Sequence, residues 1–349
     1  MNRRLNFLLG LLIFLSACVD APTNTPPNFT PTSSSRIALV LNEGLFQRNN
    51  ASLTRYEIDS SRAFTDFFEQ QVGRRLGDTG SDLAQYGGKI YIVVNISSSI
   101  EVLDASTFVS LGAISLFNGT QPRQPRQIAF HGRYAIASCY DGTIAVVDTA
   151  SLAVARNIQV GSYPEGVAIQ NGKLYVANSG GLNFPNYDST VSIIDLNTLT
   201  EIKRLTLRIN PTAVAADRYG NVYVISNGNY SSVPLRLLKI DSQTDAIKKI
   251  YDFDANRIAI HDSLAFIASN GGIKLLNIKN DSVLSENLIA PSNFQILYGI
   301  SIDEARQELY CADAKTYVIN GEMKVFDFNG QFKRGFQTGL IPSKTVFVR

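Results

Sequence analysis

Apolar residues along this chain fall in short alternating runs, rich in Val, Ile and Tyr, separated by Gly, Asn, Asp and Pro. Period-two alternation marks a strand with one face more buried than the other; helices need longer segments and a different period. Three signals recur in fixed order. The first is a short apolar strand usually opened by proline: Pro125-Arg126-Gln127-Ile128-Ala129, Pro164-Glu165-Gly166-Val167-Ala168 and Pro211-Thr212-Ala213-Val214-Ala215. Proline suits the first position of a strand, where its missing N–H spoils no ladder bond. A tight turn follows, such as Asn171-Gly172 or Gly220-Asn221, then an aromatic and β-branched strand, Leu174 to Asn178 or Val222 to Ser226. Gly and Asn accept the positive φ that such hairpins require. The third signal is an alternating strand closing on Asp, as in Val191 to Asp195, and a fourth strand such as Ile202 to Leu207 leads to the next proline.

The closing position is expected at Asp59, Asp104, Asp148, Asp195, Asp241, Asn277 and Asp327, at intervals of 45, 44, 47, 46, 36 and 50 residues. Four strands per repeat at this period, counted seven times, predict an all-β fold: a seven-bladed β-propeller of four-stranded antiparallel blades. The chain ends support the count. The first repeat starts at Arg36 to Asn42 without a proline-opened strand before it, and the C-terminus carries a spare one, Pro342 to Val348. The spare strand is expected to become the innermost strand of blade 1 and to close the ring, leaving no exposed terminal blade. Residues 36–349 then form one propeller with nothing left over for a second domain.

Composition changes this picture little. Of 349 residues 45% are hydrophobic and 18% charged, the profile of a globular protein. The first residues read as an address rather than as fold. Arg3 and Arg4 precede an apolar stretch from Phe7 to Val19 that ends in Leu15-Ser16-Ala17-Cys18. The stretch is shorter than the about 20 residues that span a bilayer. Leu15 to Cys18 resembles the bacterial lipobox, which implies a signal peptide over 1–17 and lipidation of Cys18, with the lipid bilayer as a partner. An ordinary signal peptide with an incidental cysteine is the alternative; small residues before Cys18 and a Thr/Asn/Pro stretch after it favour the lipobox. Residues 18–35, with Pro22, Pro26, Pro27 and Pro31 among Thr, Ser and Asn, read as a tether that holds the domain off the membrane. Without its leader the chain has 30 basic and 30 acidic groups. No basic stripe appears, so nucleic acid is not an expected partner, and the propeller reads as a monomeric domain.

The repeat resembles the YVTN family of propellers, in which a Tyr-Val-x-Asn strand precedes a Val-x-Val-Ile-Asp strand and a Thr turn. Tyr175-Val176-Ala177-Asn178 with Val191 to Asp195 and Thr198 is the nearest copy, and Val93-Val94-Asn95 with Ile100 to Asp104 and Thr107 the next. The likeness loosens at blades 6 and 7, where Asn277 replaces Asp and Ala312-Asp313 replaces Ala-Asn. A lipid-anchored propeller of this type also resembles the surface lipoproteins of Bacteroidota that accompany TonB-dependent transporters, a group that includes a cobalamin-capturing, YncE-like family. That resemblance implies a non-enzymatic capture protein on the outer membrane, with a corrinoid as one possible ligand and a transporter as one possible partner. Surface export in that phylum often uses acidic residues after the lipid-bearing Cys; here only Asp20 is present, which leaves surface and periplasmic orientations open.

Candidate chemistry is sparse. His131 and His261 are expected in hairpin turns between first and second strands, and the repeated Asp residues read as turn caps. Cys139 and Cys311 fall on different blades without metal-ligand spacing, and read as small buried hydrophobes. No haem, phosphate-loop or nucleophile-elbow motif is present, so neither a cofactor nor a metal is expected. Function is therefore sought in the loops, which break the repeat. Loops after second strands and before first strands open on one face, and that face carries the long insertions. The expected ligand-binding residues there are Phe46, Arg48, Arg123, Tyr140, Tyr163, Phe184, Asn186, Tyr187, Asn229, Tyr230, Phe294 and Tyr317. Two readings stand for them: a platform of flat aromatic faces ringed by hydrogen-bond donors, or aromatics that pack their own loops. The absence of Trp weakens a polysaccharide reading. A protein–protein scaffold is the alternative class of function, and a propeller enzyme such as a lactonase a third.

The lipobox reading has a direct check. Full-length protein in a bacterial host should incorporate labelled palmitate and fractionate with membranes, and Cys18→Ser should lose both; label retained by the variant refutes lipidation at Cys18.

Overall fold

The computed structural model describes residues 37–349; the expected signal peptide (1–17), Cys18 and the tether (18–35) lie outside the described residues. Seven four-stranded antiparallel sheets are arranged as a β-propeller, with one small extra hairpin. From the axis outward, blade 2 is Gly80–Tyr86, Lys89–Val94, Ser99–Asp104 and Ser110–Ser115. Blade 3 is Pro125–His131, Tyr134–Cys139, Thr143–Asp148 and Ala153–Gln159; blade 4 is Pro164–Gln170, Lys173–Asn178, Thr190–Asp195 and Thr200–Thr206. Blades 5, 6 and 7 start from Pro211–Ala216, Arg257–His261 and Leu297–Asp303 and follow the same order. Blade 1 closes the ring as expected. Its innermost strand is the C-terminal Pro342–Val348, which pairs antiparallel with Ile37–Asn42.

The alternation in sequence becomes two-sided burial. Along Ile37–Asn42 the side chains of Ile37, Leu39 and Leu41 pack toward blade 2, against Leu83, Ile90 and Ile92. Ala38 and Val40 point the other way, toward Tyr310 and Val325 of blade 7. One apolar cluster fills each of the seven blade interfaces, so the core is a ring of wedges rather than a central mass. The axis itself is left for polar groups. Outermost strands are largely exposed, as in Ala246–Ile250.

The repeated polar positions are framework. Asp104 accepts hydrogen bonds from the Ser106 and Thr107 amides at 3.0 and 2.8 Å, and Asp195 accepts them from Asn197 and Thr198 at 2.9 and 2.8 Å. Such bonds favour the carboxylate; the Ser106 hydroxyl, then the Thr107 amide and hydroxyl, hold Asp104 down to about 2. Asn178 ties its strand to the next by donating to Thr190 and Ser192, both at 2.9 Å, and Tyr175 is fully buried with its hydroxyl on Asp245 at 2.5 Å. Cys139 and Cys311 are buried thiols, and burial pushes Cys139 up to about 12.

Blade 1 corrects one expected position. Its third strand, Ser52–Glu57, places Glu57 opposite Ile37, where the other blades have their closing Asp or Asn. Asp59 sits beyond the strand end and pairs with Arg306 of blade 7 at 3.2 Å. An acidic residue two places on satisfies the spacing without capping the same turn. The connection from blade 1 to blade 2 also holds a short helix, Phe67–Val72, which strand periodicity did not predict; Phe67 and Phe68 are buried, and Gly73 ends it with φ 77°.

Removal of residues 342–349 should expose the apolar edge of Ile37–Asn42 and open the ring. The truncated chain is expected to self-associate and to lose its cooperative melting transition by size-exclusion chromatography and circular dichroism. A monodisperse product that melts like the intact chain would refute closure by this strand.

Candidate functional site

The entrance to the axis is shaped by one repeated irregularity. In blades 3 and 4 the register between first and second strands slips directly after the opening proline, between Pro125 and Ile128 and between Pro164 and Val167. Corresponding slips follow Gly80, Pro211, Leu297 and Pro342. A bulge of this kind gives one strand more residues than its partner and re-aims the side chains at the extra position. The residues it frees are Ser81, Arg126, Glu165, Thr212, Tyr298 and Ser343, and all of them line a cavity of about 380 Å³ at the mouth of the axis. Gly166 is required beside Glu165: a Cβ there would lie 2.6 Å from the Val214 nitrogen of the neighbouring innermost strand.

The cavity carries charge of both signs, with Arg126, Arg257 and Lys344 against Glu43, Asp82 and Glu165. Arg126 Nε donates to Glu165 Oε2 at 2.9 Å, and its guanidinium lies 4.9 Å from the centre of the Tyr140 ring. The Tyr140 hydroxyl donates to the other oxygen of Glu165. Burial opposes the charge on Arg126, but the adjacent Glu165 carboxylate more than compensates and raises its pKa. Asp82 is buried, which pushes its carboxyl up, while the Leu83 and Ile128 amides hydrogen-bond its two oxygens at 2.9 and 3.0 Å. Lys344 stands 4.0 Å from it. Glu43 is likewise raised by burial, offset in part by the Tyr298 hydroxyl that donates to it at 2.5 Å and by Arg126 and Arg257.

Of the twelve residues expected from the sequence, Tyr140 and Tyr230 line this cavity. Tyr230 is 67% exposed and continues an aromatic row along the rim, 6.1 Å from Tyr187, which is 6.0 Å from Phe184. Tyr163 packs edge-on against Tyr140 at 5.5 Å. The remaining loop residues do not converge on the cavity. Arg123 is held within blade 3 by Asp141 and Thr143, and Asn229 shapes its own loop by accepting from the Ser231 and Val233 amides. Phe294 lies 6.0 Å from Phe326, under Lys324. Asn186 sits in the blade 4 loop, where its amide donates to Asn183. Phe46, Arg48 and Tyr317 are exposed on the loops of blades 1 and 7, with Tyr317 edge-on to Tyr298 at 5.9 Å.

The charged lining was hidden in plain view. Arg126 and Glu165 directly follow strand-opening prolines, where the repeat elsewhere is apolar or small. A charge next to such a proline is the signal that would have found them. His131 and His261 end innermost strands at the opposite opening, as their turn context implied. His261 helps line a separate cavity of about 290 Å³ there with Asp217, Arg218, Asp262 and Glu304. Among the described residues no group of three or more His, Cys, Asp or Glu is placed to hold a metal ion.

A family model described as a domain of unknown function, DUF5074, matches residues 38–255, more than half of the chain. The chain belongs to the DUF5074 family. The matched segment runs from the second strand of blade 1 through blade 5, so it contains Arg126, Glu165 and Tyr230 of the cavity and excludes Arg257 and Tyr298. No curated protein sequence matches this DUF5074 chain. Among solved structures it is similar to a quinonprotein alcohol dehydrogenase-like protein of Bacteroides thetaiotaomicron, at 16% identity with a TM-score of 0.68, over 89% of this chain and 78% of that one. It is also similar to hydrazine synthase of Kuenenia stuttgartiensis, at 16% identity with a TM-score of 0.58, over 70% and 74% of the two chains. The WD40 domain of Neurospora crassa Pan2 matches at 12% identity with a TM-score of 0.58, over 75% and 79%. Likeness at this level establishes the propeller fold.

The Arg126–Glu165 pair is the most closely tied ion pair of the site, with the Tyr140 hydroxyl as a third partner. Glu165→Gln should cost about 2–3 kcal/mol, because a half-buried guanidinium loses its carboxylate in a mouth that stays wet. The double change Arg126→Met with Glu165→Leu should recover most of that loss in urea melts. Equal stability of the single variant and the wild type would show that the pair contributes nothing.

Proposed function

We propose that this protein is a non-enzymatic, lipid-anchored capture protein of the cell envelope that holds a small molecule at the loop-face mouth of its propeller. The observation that carries this reading is the cavity of about 380 Å³, polar at its floor and flanked by exposed rings at Phe184 and Tyr230. Ligand sites combine such concavity with a few fixed polar groups, and usually measure about 300–1,000 Å³. A molecule larger than the cavity, such as a corrinoid, would enter with one edge and pack its body against the Phe184–Tyr187–Tyr230 row, whose neighbouring rings stand edge-to-face at 71° and 72°. Flat apolar faces against aromatic rings supply burial at low conformational cost.

Exposed apolar side chains elsewhere on the face support a second contact. Phe46, Val318 and Ile319 are 64%, 67% and 52% exposed and lie outside the cavity lining. They favour a protein partner docking on the blade 7 and blade 1 loops, and an outer-membrane transporter fits the capture reading. Either an outward or a periplasmic orientation of the anchored propeller is compatible with this role.

Thermal-shift and calorimetric titration with cyanocobalamin and cobinamide test the reading. A bound corrinoid should raise the melting temperature, and Tyr230→Ala should weaken binding about tenfold, as expected for an aromatic ring that becomes buried on binding. Val318→Asp should leave ligand affinity unchanged while reducing co-purification with a transporter. No shift with either corrinoid removes that ligand class, and unchanged affinity in Tyr230→Ala moves the site elsewhere.

A further inference from the structure

The three cations and three carboxylates of the cavity sort into two closed pairs and one open one. Arg126 meets Glu165 at 2.9 Å, and Lys344 stands 4.0 Å from Asp82. The remaining two, Arg257 and Glu43, form no ion pair with each other or with any other charged side chain among the described residues. Both instead touch Tyr298. Its hydroxyl donates to Glu43 Oε2 at 2.5 Å, and the Arg257 guanidinium lies 5.5 Å from the centre of its ring. One Arg257 nitrogen, Nη1, donates to the Asn256 carbonyl at 2.8 Å; Arg257 as a whole is exposed. Tyr298 thus contacts both an acceptor and a fork of donors that form no direct ion pair with each other.

The chemistry that satisfies such a split pair is uncharged. A ligand carboxylate would gain Arg257 but face the Glu43 carboxylate, and an ammonium would gain Glu43 but face Arg257; like charges brought together in this way are penalised. A group with one N–H donor and one carbonyl acceptor meets both demands. We propose that Glu43, Tyr298 and Arg257 form the specificity element of the cavity and take a primary carboxamide of the ligand, the N–H₂ on Glu43 and the C=O on Arg257. This rests on the capture reading but not on the corrinoid as its ligand.

Benzamide and benzoate, matched in shape and different in charge, are suitable probes of the full-length chain by saturation-transfer NMR and competition at pH 7. Benzamide should bind at least about tenfold more tightly than benzoate, a difference of about 1.4 kcal/mol. Arg257→Gln should weaken benzamide binding, and Glu43→Gln should weaken it while improving benzoate, which no purely structural role of Glu43 would do. Neither change should unfold the protein, because Arg257 is exposed and burial disfavours the charge that Glu43→Gln removes; a melting curve checks this. Benzoate binding as well as benzamide, no response to either variant, or no binding of either fragment would overturn the proposal. Benzamide bound without any corrinoid would retain the carboxamide anchor and discard the corrinoid. A corrinoid bound with full affinity by both variants would retain capture and discard the anchor.

Discussion

The bulge at the start of the innermost strands is the constraint on which the mouth of this propeller depends. In a regular antiparallel pair, successive side chains alternate between the two faces of the blade, and both faces here are committed to apolar wedges between blades. An extra residue inserted before that register begins belongs to neither face. Arg126, Glu165, Thr212 and Tyr298 occupy such positions, so they differ freely from blade to blade without disturbing the packing beyond them. Blade 6 lacks the slip; its contribution, Arg257, is the first residue of its strand. A repeated scaffold therefore presents a non-repeated set of polar groups around one axis.

Rigidity comes from polar ties that do recur. Buried Tyr175 reaches Asp245 of the next blade, and Tyr223 reaches Asp217 within its own at 3.1 Å. Asn42 and Asn178 each brace neighbouring strands by donating to two hydroxyls. A single hydrogen bond of this kind contributes about 1 kcal/mol net; most of these ties fix neighbouring strands within a blade, and Tyr175 fixes blade 4 against blade 5.

Electrostatics at the mouth follow from the same economy. Charges raised out of bulk water are stable where they are paired, and two of the three pairs in the cavity are closed in this way. The third is open, and a tyrosine touches both its members. The exposed rings of Phe184 and Tyr230 add apolar surface beside this polar floor, so the two parts of the site can grip different parts of one molecule.

The blade count, the strand order and the closure by Pro342–Val348 were legible in the sequence, because alternation and turn residues are local properties that each repeat states afresh. Local spacing also misled where two acidic residues lay close together, and Asp59 was read for Glu57 because only cross-strand pairing distinguishes them. Of the candidate site, the sequence marked the loop face and its aromatics, since loops that break a repeat stand out, and of these Tyr140 and Tyr230 line the cavity. Arg126 and Glu165 passed as strand openers, because a bulge exists only as a mismatch between two paired strands. Glu43, Tyr298 and Arg257 come from blades 1, 7 and 6 and meet only after the ring has closed. The sequence alone thus determined the fold and marked the loop face that breaks the repeat, both written in local periodicity. Which side chains share the cavity was decided by register and ring closure, which are relations between distant strands.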